Sequence, residues 1–121
     1  MIQGFQKQTK PLTEYERDVL LPVICRGLST KIGIGNIISG SKIVKAMTAA
    51  KYKLTEPRLR KIINYIRNHN LVPCLASNGQ GYFIATCPEE IDDCIASIQG
   101  RIDSHQALIE SLKEQQQKYF Q

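Results

Sequence analysis

The sequence predicts a mainly α fold with a small β-hairpin (α+β), in which three helices precede the hairpin and a long C-terminal helix follows it. Two observations support this fold class. Apolar residues recur at helical spacing in several segments, and two strand-like runs flank the pair Asn78-Gly79. Helical periodicity indicates amphipathic helices, and Asn-Gly between two such runs is a strong signal for a β-hairpin.

The length of 121 residues predicts one domain with an appended helix. We expect a flexible segment over 1–11, a compact domain over 12–87 and a C-terminal helix over 88–121. The first residues lack the apolar run of a signal peptide, and no stretch approaches the roughly 18 apolar residues of a membrane span. We therefore expect a cytoplasmic protein with no membrane partner.

The first helix begins near Thr13, a suitable N-cap, and carries acidic residues in its first turn. Pro22 lies within the run and predicts a kink or a break there. An apolar face is expected from Tyr15, Val19, Leu20, Val23 and Ile24. The glycine-rich "STKIGIGN" reads as a loop, and the following "NIIS" can form a very short strand.

Two further helices follow at close spacing. The segment "SGSKIVKAM" predicts a helix capped near Ser39 or Ser41, and "TEPRLRKIINYIRNH" predicts a second one capped by Thr55. Only a few residues separate them, which is helix–turn–helix spacing. Strand-like runs then span 71–76 and 81–86, so the order of elements is that of a winged helix.

Charge is concentrated in the centre of the chain. Between Lys42 and Arg67 there are eight basic residues and one acid, Glu56, whereas the segment from Pro88 onward is net acidic. A basic block of this kind indicates a surface for a polyanion.

The helix starting at Thr55 has an apolar stripe at Leu59, Ile62, Ile63 and Ile66. Its other positions are candidate DNA-binding residues, because the second helix of a helix–turn–helix enters the major groove. They are Arg58, Arg60, Lys61, Asn64 and Arg67. Candidate phosphate contacts outside this helix are Lys42, Lys45, Lys51 and Lys53. The competing interpretation is an ordinary solvated helix face.

The hairpin tip "SNGQG" carries no Arg or Lys. Two interpretations stay open: it contacts a minor groove, or it only closes the core.

The C-terminal segment repeats apolar residues in alternating steps of four and three, which predicts a coiled-coil seam. The expected dimerisation residues are Ile91, Ile95, Ile98, Ile102, Ile109 and Leu112. His105 and Gln116 are polar members of the seam, which either set its register or mark where the helix leaves its partner.

No chemistry of catalysis or metal binding is predicted. The four cysteines form no C-x-x-C motif, and the two histidines have no ligand spacing. The "GIGN" loop matches neither phosphate-binding glycine pattern. We expect neither an enzyme nor a cofactor, a metal or a small-molecule ligand.

The segments quoted above resemble small winged-helix proteins encoded by phages and prophages, over about residues 12 to 112. The closest part of the resemblance is "GYFIATCPEEIDDCIASI", where a strand runs through P-E-E-I into a long helix. The resemblance implies DNA binding in transcriptional control or replication initiation, with Arg58, Arg60, Lys61 and Asn64 facing double-stranded DNA.

The expected function is therefore DNA binding as a homodimer. The alternative is a protein-interaction adaptor that uses the winged helix and its long C-terminal helix to dock a partner without DNA.

Overall fold

The computed structural model describes residues 12–120, so the expectation for 1–11 lies outside the described residues. A π-helical segment, Glu16–Leu20, continues directly into α1, Leu21–Leu28. A 3₁₀ turn at Ile34–Asn36 leads to α2, Gly40–Ala49, and α3, Glu56–Asn68. The hairpin strands are β1, Leu75–Asn78, and β2, Gly81–Ile84, and the last helix is α4, Pro88–Tyr119. The predicted mainly helical α+β fold, with one hairpin and a long C-terminal helix, is confirmed.

The chain divides into two compact units, Met1–Thr86 and Cys87–Gln121. The first holds α1 to α3 and the hairpin around a shared apolar core. Its fully buried side chains include Leu20, Leu59, Ile62, Ile63 and Ile66. The second consists of α4, in which no side chain is buried.

The first helix differs from the sequence prediction in its register. The turn Glu16–Leu20 is π-helical, and α-helical geometry resumes at Leu21, directly before Pro22. A π turn holds more residues than an α turn, so it changes which positions face the core relative to a regular α-helix. Glu16 and Leu20 are both buried, whereas Val19, predicted to lie on the apolar face, is 38% exposed.

The hairpin pairs with the connection between α1 and α2. Ile38 and Tyr82 exchange two backbone hydrogen bonds of 3.0 and 2.8 Å, and Gly33 donates to the carbonyl of Ile84 at 2.9 Å. These bridges give β2 a partner on each side, β1 and the connection. The short strand expected at 36–39 is thus represented by the single bridge at Ile38.

The hairpin itself starts later than predicted. The run 71–76 is interrupted because Asn70 and Cys74 have positive φ angles of 54° and 61°, and β1 begins at Leu75. The two-residue loop is Gly79-Gln80, between the paired residues Asn78 and Gly81. Asn78 and Gly79 do not form the type I′ turn that Asn-Gly pairs favour, because neither residue has positive φ. The Asn78 side chain instead accepts a hydrogen bond from the Gln80 N–H at 2.7 Å.

Candidate nucleic-acid interface

The third helix presents one apolar and one polar side, as its sequence pattern predicts. Thr55 caps it by accepting a hydrogen bond from the Arg58 N–H at 3.4 Å, and Pro57 sits in the first turn. The stripe of Leu59, Ile62, Ile63 and Ile66 is at most 1% exposed. Burial of this stripe fixes the rotation of α3 and turns its opposite side outward.

Exposed polar residues form what we call the outer face of α3, consisting of Arg60, Asn64 and Asn68. Arg60 and Asn64 are four positions apart, so their side chains are neighbours on the helix, with Cβ atoms about 6 Å apart. Within residues 12–120, no hydrogen bond or ion pair engages the side chain of Arg60 or of Asn64. Both are available to an external ligand.

Further exposed basic residues lie on α2, on α3 and in the connection between them. Arg58 is exposed on α3, Lys42 and Lys45 are exposed on α2, and Lys51 and Lys53 are exposed in the connection. The Tyr15 hydroxyl donates to the Lys53 carbonyl at 3.0 Å, which anchors this connection to the start of the first helix. The only acid between Lys42 and Arg67 is Glu56. The unit thus carries a large positive excess on α2, α3 and their connection.

Lys61 differs from its neighbours because it is bound inside the protein. Its Nζ lies 3.5 Å from Oε1 of Glu16, and its side chain is 30% exposed. Glu16 itself is 1% exposed, although it carries a carboxylate. The lysine therefore neutralises a buried charge.

Glu16 is also half of a capping box. Its N–H donates to the Thr13 hydroxyl at 3.1 Å, and its Oε1 accepts from the Thr13 N–H at 2.9 Å. Burial alone would raise the pKa of Glu16, but the Thr13 N–H and the Lys61 charge outweigh it and lower the pKa below its ordinary value of 4.5. The spacing T-x-x-E was a signal for this cap that our sequence prediction did not use. Nothing in the sequence indicated the pairing with Lys61.

Arg67 is directed toward the hairpin. Its Nε donates to the Leu75 carbonyl at 3.1 Å, and its guanidinium lies 5.9 Å from the centre of the Tyr82 ring. Its Nη2 is buried and has no hydrogen-bond partner among residues 12–120. The side chain is half-buried, so Arg67 holds β1 and β2 against α3.

The end of α3 is closed by a local contact. The rings of Tyr65 and His69 stack with centroids 3.9 Å apart, and His69 Nδ1 lies 2.9 Å from the Tyr65 carbonyl. The hairpin beyond it brings no positive charge, because residues 68–87 contain no Lys or Arg. The hairpin therefore adds no positive charge to the unit, and the largest positive excess lies on α2, α3 and their connection.

The predicted dimerisation residues lie on α4, and we call them the seam of α4: Ile91, Ile95, Ile98, Ile102, Ile109 and Leu112. Ile91 is half-buried, and the other five are 39% to 58% exposed. Exposed apolar residues of this number on one helix face are typical of a surface that binds another protein.

A second apolar surface lies within the first unit. A cleft of about 160 Å³ between α1 and α2 is lined by Val23, Ile24, Gly27, Ile43 and Met47, among others. Its lining is almost entirely apolar, so it suits an apolar side chain of a protein partner rather than a nucleic acid.

The described residues contain no group of three or more His, Cys, Asp or Glu that could hold a metal ion. Burial raises the pKa of the Cys25 thiol, which keeps it protonated at neutral pH. Between Leu12 and Phe120, no helix has the length and apolarity needed to cross a membrane.

No family model, curated protein or solved structure matches the chain. The resemblance to phage and prophage winged-helix proteins therefore stays a prediction.

Proposed function

We propose that this protein binds double-stranded DNA through the outer face of α3. The observation that carries the proposal is that Arg60 and Asn64 are exposed and unengaged within the described residues, while Lys61 and Arg67 are held by internal contacts. Unengaged donors among many positive charges fit a polyanion better than they fit a solvated surface, where acids usually alternate with bases.

In this proposal α3 enters the major groove. Arg60 donates two hydrogen bonds to the O6 and N7 atoms of a guanine, and Asn64 pairs with the N6 and N7 atoms of an adenine. The two residues are adjacent along the helix, so the bases they read lie within one or two steps of each other. Sequence preference thus rests on these two side chains.

Affinity comes mainly from phosphate contacts. Each exposed basic residue that neutralises a phosphate releases a counterion, and the candidates on α2, α3 and their connection are Arg58, Lys42, Lys45, Lys51 and Lys53. Lys61 contributes little to the positive potential, because Glu16 neutralises its charge. Arg67 is not used as a DNA contact here, because its guanidinium is committed to the hairpin.

The proposal includes a cytoplasmic homodimer that assembles through the seam of α4 and acts in phage or prophage transcription regulation or replication initiation. A dimer presents two copies of α3 and favours a site with two half-sites. The hairpin is assigned a structural role, since its tip offers no charge to a minor groove.

The test is a fluorescence-anisotropy titration of a random-sequence duplex at about 50 mM and about 200 mM salt. We expect binding at the lower concentration and a loss of affinity of tenfold or more at the higher one. An absence of binding at both concentrations would reject DNA as the ligand.

The second candidate is a protein adaptor that docks a partner through the seam of α4. The observation that favours it is the exposure of five seam residues, together with the apolar cleft between α1 and α2. Docking of apolar surfaces changes little with salt, so the same two salt concentrations separate the candidates.

A further inference from the structure

The α4 helix exposes an apolar surface along its seam. It spans 32 residues, or roughly 48 Å at 1.5 Å per residue. None of its side chains is buried, and isoleucines 95 and 102 are more than half exposed. In the heptad of this helix, Ile95, Ile102 and Ile109 occupy a positions, and Ile91, Ile98 and Leu112 occupy d positions.

We propose that the occupant of the seam is α4 of a second copy, running antiparallel to the first. This inference rests on the homodimer of the proposed function and specifies how its two chains meet. Leu112 then faces the partner's Ile95, and Ile98 faces the partner's Ile109. Three features of the helix favour this orientation over a parallel pair.

The first feature is the choice of apolar residue. In a parallel two-stranded coiled coil, d positions prefer leucine, and isoleucine at both a and d shifts the preference to three or four strands. Here two of the three apolar d positions are isoleucine. An antiparallel pair instead packs a residues against d residues, so isoleucine at d no longer faces isoleucine at d.

The second feature is the placement of the polar seam members. His105 and Gln116 occupy d and a positions, and in a parallel pair each would face its own copy across the seam. In the antiparallel register His105 packs beside the partner's Ile102, with its polar edge toward the rim of the interface. Gln116 faces the partner's Ile91 near the end of the helix, where water has access.

The third feature is charge complementarity at the flanking positions. Asp92 and Lys113 both occupy e positions, and in this antiparallel register Asp92 meets the partner's Lys113 twice in each dimer. In a parallel pair Lys113 would flank the partner's Leu108. No e position of one helix would then meet an opposite charge at a g position of the other. Within residues 12–120 neither Asp92 nor Lys113 has an ion pair.

Asp92 and Lys113 of one chain cannot meet each other. They are 21 positions apart on a continuous helix, which separates them by roughly 32 Å. Any energetic coupling between them must therefore pass between chains, and only an antiparallel pair supplies the contact. This makes their coupling a direct measure of orientation.

The experiment measures the dimer dissociation constant of the full chain by sedimentation equilibrium. The variants are Asp92→Lys, Lys113→Glu and the double variant, with Lys118→Glu as the matched control, since Lys118 occupies a c position outside the interface. We expect each single variant to weaken the dimer by about fivefold, because two attractions become repulsions. The double variant restores an affinity close to that of the wild type, and the control changes it less than twofold.

The double variant distinguishes the contact from a helix effect. Lysine near the start of α4 and glutamate near its end both oppose the helix dipole, so without the contact the double variant would be the weakest of all. That result, a trimeric mass or a chain that remains monomeric would each overturn the antiparallel dimer. The anisotropy titration on the same proteins reports separately on DNA binding, which a monomer retains through α3.

Discussion

The ammonium group of Lys61 lies 3.5 Å from the carboxylate of Glu16, which is 1% exposed. This contact joins the start of the first helix to the side of α3. It also means that a lysine in the middle of the basic helix has a structural partner, so its replacement affects folding as well as ligand binding. DNA contacts on α3 are therefore best tested at positions that have no such partner.

Arg60→Ala should weaken binding to a duplex by roughly tenfold without changing the free energy of unfolding, because its side chain is exposed and makes no hydrogen bond or ion pair within the described residues. Arg26→Ala on α1 is the matched control, since it removes an exposed arginine distant in sequence from α3. Anisotropy titrations and urea unfolding of both variants provide the measurement. Equal losses of affinity in the two variants would show that only net charge matters.

Asn64→Ala should relax sequence preference more than it lowers affinity. The asparagine side chain is uncharged and forms no ion pair with a phosphate. Affinity for a random-sequence duplex at low salt should therefore stay within about threefold of the wild type. Selection of binding sites from a randomised duplex pool should lose the preference for adenine at one position. An unchanged selected motif would remove Asn64 from the base-reading residues.

Lys61→Met should destabilise the fold by about 1–3 kcal/mol, because it leaves the Glu16 carboxylate buried without its counter-charge. Combining it with Glu16→Gln should recover part of the loss, since the buried charge is then gone. Urea denaturation of the two single variants and the double variant at pH 7 measures this coupling. Strictly additive effects would argue against the contact.

Stability should also depend on pH through Glu16. Its pKa is lowered in the folded state from 4.5, so the ionised carboxylate stabilises the fold above that value. This contribution disappears as the pH falls through the folded-state pKa. Between about pH 5 and pH 2, Glu16→Gln should therefore lose less stability than the wild type. Urea unfolding of both proteins at each pH measures this difference. Parallel curves for the two proteins would contradict this assignment.

Gly81→Ala should prevent or severely weaken folding of the hairpin. A Cβ at this position would collide with the carbonyl oxygen of Ile38, and the φ angle of +148° is unfavourable for alanine. Gly79→Ala is the matched control, because a Cβ there meets nothing within 4 Å. Thermal unfolding should show a loss of several kcal/mol for the first variant and less than about 1 kcal/mol for the second. Similar stabilities would refute the close approach at Ile38.

The sequence predicted features that depend on local pattern. The stripe on α3, its Thr55 cap, the hairpin and the long α4 helix were all visible as spacing or capping signals. What it did not predict depends on contacts between distant residues. The Glu16 carboxylate meets its counter-charge only when Lys61, 45 positions away, is brought beside it, and the role of Arg67 requires the carbonyl of Leu75 to be brought beside it. The periodicity of a helix does not distinguish an exposed polar residue from one that is paired inside the protein, because that pairing depends on residues from other elements.

The bridge between Ile38 and Tyr82 has a consequence for the order of folding. It joins residues that are 44 positions apart, and every residue of α2 and α3 lies in the loop that it closes. Closing a loop of this length costs conformational entropy, and the chain loses this entropy before the contact stabilises it. We therefore expect this unit to fold more slowly than a helical bundle of similar size. A nascent chain that ends before Tyr82 lacks this bridge, so α3 would gain its full stability only after the hairpin has been synthesised.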